Sequence, residues 1–175
     1  MKILIGYATT EGQTRKICRH VADHLIDGGH SVELLPLSEA DDPGVARFDR
    51  VILAASVHLG HYQQALSDFV TDAAPSLATL PTLFLSVSLS AAGHDAEDWR
   101  GLETIAEEMT EATGWTPDRV EQVAGAYTPS RYDIIRRFAM RRIIGGKDPG
   151  QDLSADREYT DWTGLDRAVD DWIAA

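Results

Sequence analysis

Basic residues are scarce in this chain. Lys and Arg number 16 against 28 Asp and Glu, a formal net charge of −12 at pH 7. A surface of that sign repels nucleic-acid phosphates, so no nucleic-acid partner is expected. Cysteine is almost missing: Cys18 stands alone, which rules out a disulfide within the chain. Its place on the stripe Ile17, Cys18, Val21, Leu25 reads as a core thiol. No apolar run approaches the ~20 residues that span a membrane. One lysine and a short apolar run before Thr9 do not make a secretory signal peptide, so a cytoplasmic location is expected. Two phosphate-binding signatures are also lacking. There is no Gly-Lys-Ser/Thr P-loop and no paired-glycine dinucleotide fingerprint, so neither ATP nor NAD is the natural ligand.

What is present is an alternation of apolar runs and helical patterns. Strands are expected at Ile3–Ala8, Ser31–Leu37, Val51–Ser56, Thr82–Ser88 and Val120–Ala126. The third and fourth are apolar nearly throughout, as befits parallel strands covered on both faces. Helices are expected at about 13–27, 62–73, 95–113 and 161–174. The alternation predicts an α/β fold with a doubly wound parallel sheet. At 175 residues and 43% hydrophobic content, the chain has room for one domain with a sizeable core.

In such a sheet, ligands gather beyond the carboxyl ends of the strands, at the switch point between the first and third. Three loops reach that edge. Thr9, Thr10, Glu11, Gly12, Gln13 and Thr14 form a hydroxyl-rich loop entering the first helix. Hydroxyls, backbone N–H groups and the positive end of that helix converge on an anion there without any basic side chain. A well-capped helix would look similar; the ligand favoured by elimination is a mononucleotide, FMN. The second loop is Ser56, Val57, His58, Leu59, Gly60, His61 and Tyr62, and the third is Ser88, Leu89, Ser90, Ala91, Ala92, Gly93 and His94. These two would flank a flavin ring, with Gly60 permitting close backbone approach. Tyr62 either stacks on the ring or opens the next helix. His58 and His61 are candidates for proton transfer or for loop hydrogen bonds. His20 and His24 have a helical i, i+4 spacing but no evident third ligand, so no metal is expected.

Charge is unevenly spread. Arg131, Arg136, Arg137, Arg141, Arg142 and Lys147 face one acid, Asp133, so segment 131–147 carries +5 and the rest of the chain −17. It belongs to an insert at about 127–159, where arginines interleave with Tyr132, Ile134, Ile135, Phe138, Met140, Ile143 and Ile144. Basic and apolar residues do not separate into two helical faces. The insert either contacts anionic headgroups or substrate carboxylates, or packs with its arginines paired to the chain's own acids.

The first loop, with Thr9, Gly12 and Thr14 in place, resembles the phosphate loop of flavodoxins. Gly12-Gln13-Thr14-Arg15, Ala55-Ser56 with Gly60-His61-Tyr62, Ser86-Val87-Ser88-Leu89, Trp115-Thr116-Pro117-Asp118-Arg119, Ala124-Gly125-Ala126, Gly145-Gly146 and Tyr159-Thr160-Asp161-Trp162 together resemble a narrower group. That group is the menaquinone-dependent protoporphyrinogen IX dehydrogenase family, of the short flavodoxin-like kind. The resemblance covers almost the whole chain. It implies a single flavodoxin-like FMN-binding domain over 1–175, strand order 2-1-3-4-5, and a basic insert near the last strand. It implies FMN as cofactor and oxidation of protoporphyrinogen IX with electrons passed to a quinone, menaquinone in this family. It also implies peripheral contact with the cytoplasmic face of the inner membrane through the insert. Self-association into a homo-oligomer is left open. The chemistry is centred on the flavin, and His61, Arg136 and Arg137 are the side chains put forward for catalytic or propionate contact. One departure stands out. The family carries basic residues in the third loop, whereas Ser90–Glu97 has none here and holds Asp95 and Glu97. Read without the resemblance, the residues also allow a flavodoxin-type electron carrier between protein partners, or a flavin-dependent quinone reductase.

Overall fold

The computed structural model describes residues 1–40, 44–129 and 154–175. Five strands form one parallel sheet: β1 (Lys2–Ala8), β2 (Ser31–Pro36), β3 (Arg50–Ser56), β4 (Thr82–Ser88) and β5 (Arg119–Ala124), in the order β2-β1-β3-β4-β5. The expected topology is borne out. The apolar runs of β1, β3 and β4 are buried along almost their whole length because helices cover both sheet faces; the edge strands β2 and β5 are only partly buried.

The helices divide between those faces. On one side, α1 (Gln13–Asp27) and the last helix, α5 (Trp162–Ala174), cover a core that includes Ile3, Ile5, Ile52, Leu85 and Val169. Cys18 lies fully buried there, and burial pushes its thiol pKa well above the usual range, so it is an inert core residue. On the other side, α2 (Gln64–Asp72), the short α3 (Ala74–Leu77) and α4 (Ala96–Thr113) lie over a second core with Leu4, Leu53, Phe69, Phe84 and Trp115.

Two expected boundaries moved for physical reasons. The last apolar run does not continue as one strand to Ala126: Gly125 breaks it, its N–H donating to Ser88 O at 2.9 Å. The chain then forms β6 (Ala126–Tyr127), which pairs antiparallel with β7 (Arg157–Glu158). The second helix starts at Gln64 rather than Tyr62, because Gln63 is extended (φ −65°, ψ 143°). Of the insert, residues 130–153 lie outside the described residues, and with them every base from Arg131 to Lys147.

Candidate functional site

Registers Ala8↔Ala55 and Ser56↔Val87 align the carboxyl ends of β1, β3 and β4, so their three loops open onto one edge. A cavity of about 490 Å³ lies there. The first loop contributes Thr9, Thr10, Glu11, Gln13 and Thr14; the second contributes Ser56, Val57, His58, Leu59 and Gly60; the third contributes Ser88, Leu89 and Ser90. Gly12, His61, Tyr62, Ala91 and Gly93 are not in the wall.

The first loop is built to leave donors unused. Gly12 precedes α1 with φ 95°, a left-handed conformation that favours glycine, and no side chain caps the helix. No acid occupies the first turn, so the positive end of the helix dipole is uncompensated by its own residues. Thr9 Oγ1 accepts from Gly12 N–H at 3.0 Å, which leaves the Thr9 proton free to point elsewhere. Thr14 is 1% exposed and its Oγ1 is buried with no hydrogen-bond partner among the described residues. A capped helix would have spent these groups; this one keeps them.

The second loop is a tight hairpin. His58 N donates to His61 O at 2.7 Å and His61 N to His58 O at 3.1 Å. Leu59 (φ 50°) and Gly60 (φ 83°) both take positive φ at its tip, the signature of a type I′ turn. Glycine accepts that conformation freely, whereas leucine is strained in it by roughly 1 kcal/mol. Leu59 is also 83% exposed, an apolar side chain standing at the cavity rim. Tyr62 turns inward instead. Its hydroxyl shares a 2.8 Å hydrogen bond with Ser86 Oγ and its ring meets Phe84 edge-on at 5.0 Å. Burial raises its pKa, the Ser86 hydrogen bond opposing this in part. Tyr62 therefore lies two residues before α2, packed against β4 through Ser86 and Phe84.

In the third loop, Ser88 Oγ accepts from Ala91 N at 3.1 Å and Gly93 O accepts from Trp99 Nε1 at 2.8 Å. Ala91 and Gly93 thus hold the loop's shape against α4. The far wall was not anticipated from the loops. It comes from Asp95, Glu97, Asp98, Gly101, Leu102 and Ile105 at the start of α4, and Val87, Gly125 and Ala126 also line the cavity. The helical spacing of 98, 101/102 and 105 was the available signal. Asp95 caps α4, accepting from Glu97 N at 2.9 Å and Asp98 N at 3.1 Å.

Behind the first loop, Glu158 Oε2 accepts from Gln13 Nε2 at 2.9 Å and from Lys16 Nζ at 2.5 Å, and Glu158 Oε1 accepts from Trp162 Nε1 at 3.1 Å. Partial desolvation acts to raise the Glu158 pKa, but these hydrogen bonds and the Lys16 charge outweigh it and the net shift is downward. The i, i+4 pair His20 and His24 meets α5: His20 Nε2 lies 2.7 Å from Asp166 Oδ1 and His24 Nε2 2.7 Å from Asp170 Oδ1. No group of three or more His, Cys, Asp or Glu among the described residues is arranged to hold a metal.

The sequence pattern of the flavodoxin domain matches residues 4–153. A protein of Escherichia coli (strain K12) named protoporphyrinogen IX dehydrogenase (quinone) is 32% identical over 162 residues, which is 93% of this chain and 89% of that protein. The chain belongs to the flavodoxin-domain family and is a homologue of this relative. A Leishmania major protein of the same name is 26% identical over 99% of this chain and 75% of its own length. Oxidised flavodoxin 2 from Bacillus cereus has the same fold, with TM-score 0.56 and 16% identity over 99% of each chain. For this flavodoxin-domain member the implied cofactor is FMN, and the residues fit it. Thr14 Oγ1 is an orphaned buried hydroxyl in the wall, and the uncapped first turn of α1 beside it suits a phosphate. No helix among the described residues is long and apolar enough to cross a membrane.

Proposed function

We propose that this chain is an FMN-dependent oxidoreductase that converts protoporphyrinogen IX to protoporphyrin IX and passes the electrons to a quinone. The observation that carries the substrate is the likeness, along 93% of the chain, to a relative of that name. Thr9, Thr10, Thr14 and Ser56, with the first N–H groups of α1, would hold the FMN phosphate. Val57, His58, Leu59 and Gly60 on one side and Ser88, Leu89 and Ser90 on the other would flank the ring. Bound there, FMN supplies two-electron transfer between donor and acceptor. The full conversion takes six electrons and six protons from the macrocycle and turns three quinones into three quinols.

The chain's own part is to bind, orient and exclude water. Leu59, Val87, Leu89, Leu102 and Ile105 give the cavity an apolar lining that keeps solvent from the transfer. His58 is the cavity-lining imidazole and therefore the nearer of the two loop histidines for proton exchange with the donor; His61 is exposed at the hairpin's end. Menaquinone as the acceptor, Arg136 and Arg137 as contacts for propionates, and the basic segment 131–147 as a peripheral contact for anionic lipid on the cytoplasmic side complete the reading.

The test is anaerobic porphyrin fluorescence after FMN-loaded protein is mixed with protoporphyrinogen IX, with and without a menaquinone analogue. Catalytic growth of the signal that depends on the quinone is expected. A second reading, electron transfer between proteins, is favoured by the acids Asp95, Glu97 and Asp98 at the cavity. Firm FMN binding with no growth of fluorescence would select it instead.

A further inference from the structure

Gln63 takes no place in the cavity wall, yet it ties together two loops that do. Its Nε2 donates to Thr10 Oγ1 at 3.1 Å and to Ser56 Oγ at 2.6 Å. Thr10 belongs to the loop after β1, Ser56 ends β3, and both line the cavity. The extended backbone of Gln63, just before α2, places the amide between them. Its Oε1 is buried with no hydrogen-bond partner among the described residues.

The direction of these bonds matters more than their number. An amide nitrogen has two protons and no acceptor capacity, and here each proton goes to one hydroxyl oxygen. A hydroxyl that accepts in this way has its own single proton left to donate elsewhere. Thr9 is in the same state, because its oxygen accepts from Gly12 N–H. Three hydroxyls at the cradle are thereby turned into donors, which suits an acceptor-only group such as a phosphate. A carboxylate at position 63 would do the opposite. It would accept from Thr10 and Ser56, draw their protons away from the cavity and add a negative charge beside the anion.

We infer that Gln63 is a positioning residue: it orients the Thr10 and Ser56 hydroxyls as donors into the cavity and so makes the cradle prefer a phosphorylated flavin. This rests on the reading of the cavity as the FMN phosphate site. The experiment titrates flavin-free wild type, Gln63→Glu and Gln63→Leu with FMN and with riboflavin, following flavin fluorescence. Riboflavin shares the ring and ribityl chain but lacks the phosphate, so the ratio of the two dissociation constants isolates the phosphate's share. Gln63→Glu should weaken FMN about 10- to 100-fold, the scale of a charge-assisted hydrogen bond, while riboflavin changes by less than about threefold. Gln63→Leu should weaken FMN selectively by about 3- to 10-fold, because it frees the hydroxyls to rotate without adding charge. If Gln63→Glu binds neither flavin, Gln63→Leu decides. An unchanged FMN-to-riboflavin ratio in Gln63→Leu overturns the inference. A wild type that binds riboflavin as tightly as FMN overturns the phosphate-site reading itself, whatever the variants do.

Discussion

Helices α1 and α4 both begin at the rim of one cavity, and their first turns are chemically opposite. At α1 the residue before the helix is a left-handed glycine, no side chain caps it and no acid lies in the first turn. At α4, Asp95 caps the helix through two N–H groups, and Glu97 and Asp98 add further negative charge. Every helix N-terminus offers N–H donors and partial positive charge. At α4 the chain's own carboxylates consume that capacity; at α1 it stays available. The difference teaches that a helix start suits an anion by withholding a cap as much as by supplying hydroxyls, and it gives the cavity two unlike ends.

The largest effect should come from removing the orphaned hydroxyl on the α1 side. Thr14→Val keeps the shape and deletes a buried polar group that has no partner among the described residues. FMN affinity should fall about 10- to 100-fold in a flavin titration, while the flavin-free protein gains stability by about 1 kcal/mol in thermal unfolding. If both move in the same direction, Thr14 is a packing residue and the contrast between the helices weakens. On the opposite side, Asp95→Ala should cost about 1 kcal/mol of stability through loss of the cap. FMN binding should not weaken, since the Asp95 carboxylate is engaged with the first N–H groups of α4 and belongs to a different loop from the cradle. A loss of FMN affinity comparable to that of Thr14→Val would erase the difference between the two ends.

Smaller effects sharpen the picture between the two helices. Leu59→Gly relieves a strained left-handed residue at the hairpin tip and should raise thermal stability by up to about 1 kcal/mol. The same change removes an exposed apolar side chain from the rim, so turnover in the porphyrin assay should drop even as stability rises. The smallest change is expected behind α1. The Glu158 pKa is lowered on folding, so its contribution to stability is complete above the usual carboxylate range and is lost as pH falls through the lowered value. Glu158→Gln should therefore cost less than about 1 kcal/mol near neutral pH, as for a largely exposed ion pair, and nothing in acid. A pH-independent cost would mean that Glu158 acts through packing.

Much of this was legible in advance, and unevenly. The β3 and β4 runs, the α1 stripe and the uncapped, hydroxyl-rich start of α1 were readable because each signal is local: burial on both faces makes a run continuously apolar, and the residues at a helix start are consecutive in sequence. The far wall was not readable in the same way. Asp95, Asp98, Leu102 and Ile105 look like an ordinary amphipathic helix start, and only the packing of α4 against the sheet turns that face toward the cavity. Gln63 gave no sign at all, because its partners Thr10 and Ser56 are 53 and 7 residues away. Tyr62 gave no local sign of its contacts, because Ser86 and Phe84 lie on a strand more than twenty residues further along the chain.

Composition and periodicity alone determined that the chain builds one parallel α/β sheet and that the loop after its first strand suits an anion, since hydrophobic patterning and loop chemistry act over a few neighbouring residues. The tertiary structure alone decided which hydroxyls accept from the Gln63 amide, which helix end is left uncapped beside them, and that His20 and His24 meet Asp166 and Asp170 across two helices, each pair 146 residues apart in sequence. Those outcomes depend on distances between distant segments, which are set only when the sheet brings its strand ends to one edge.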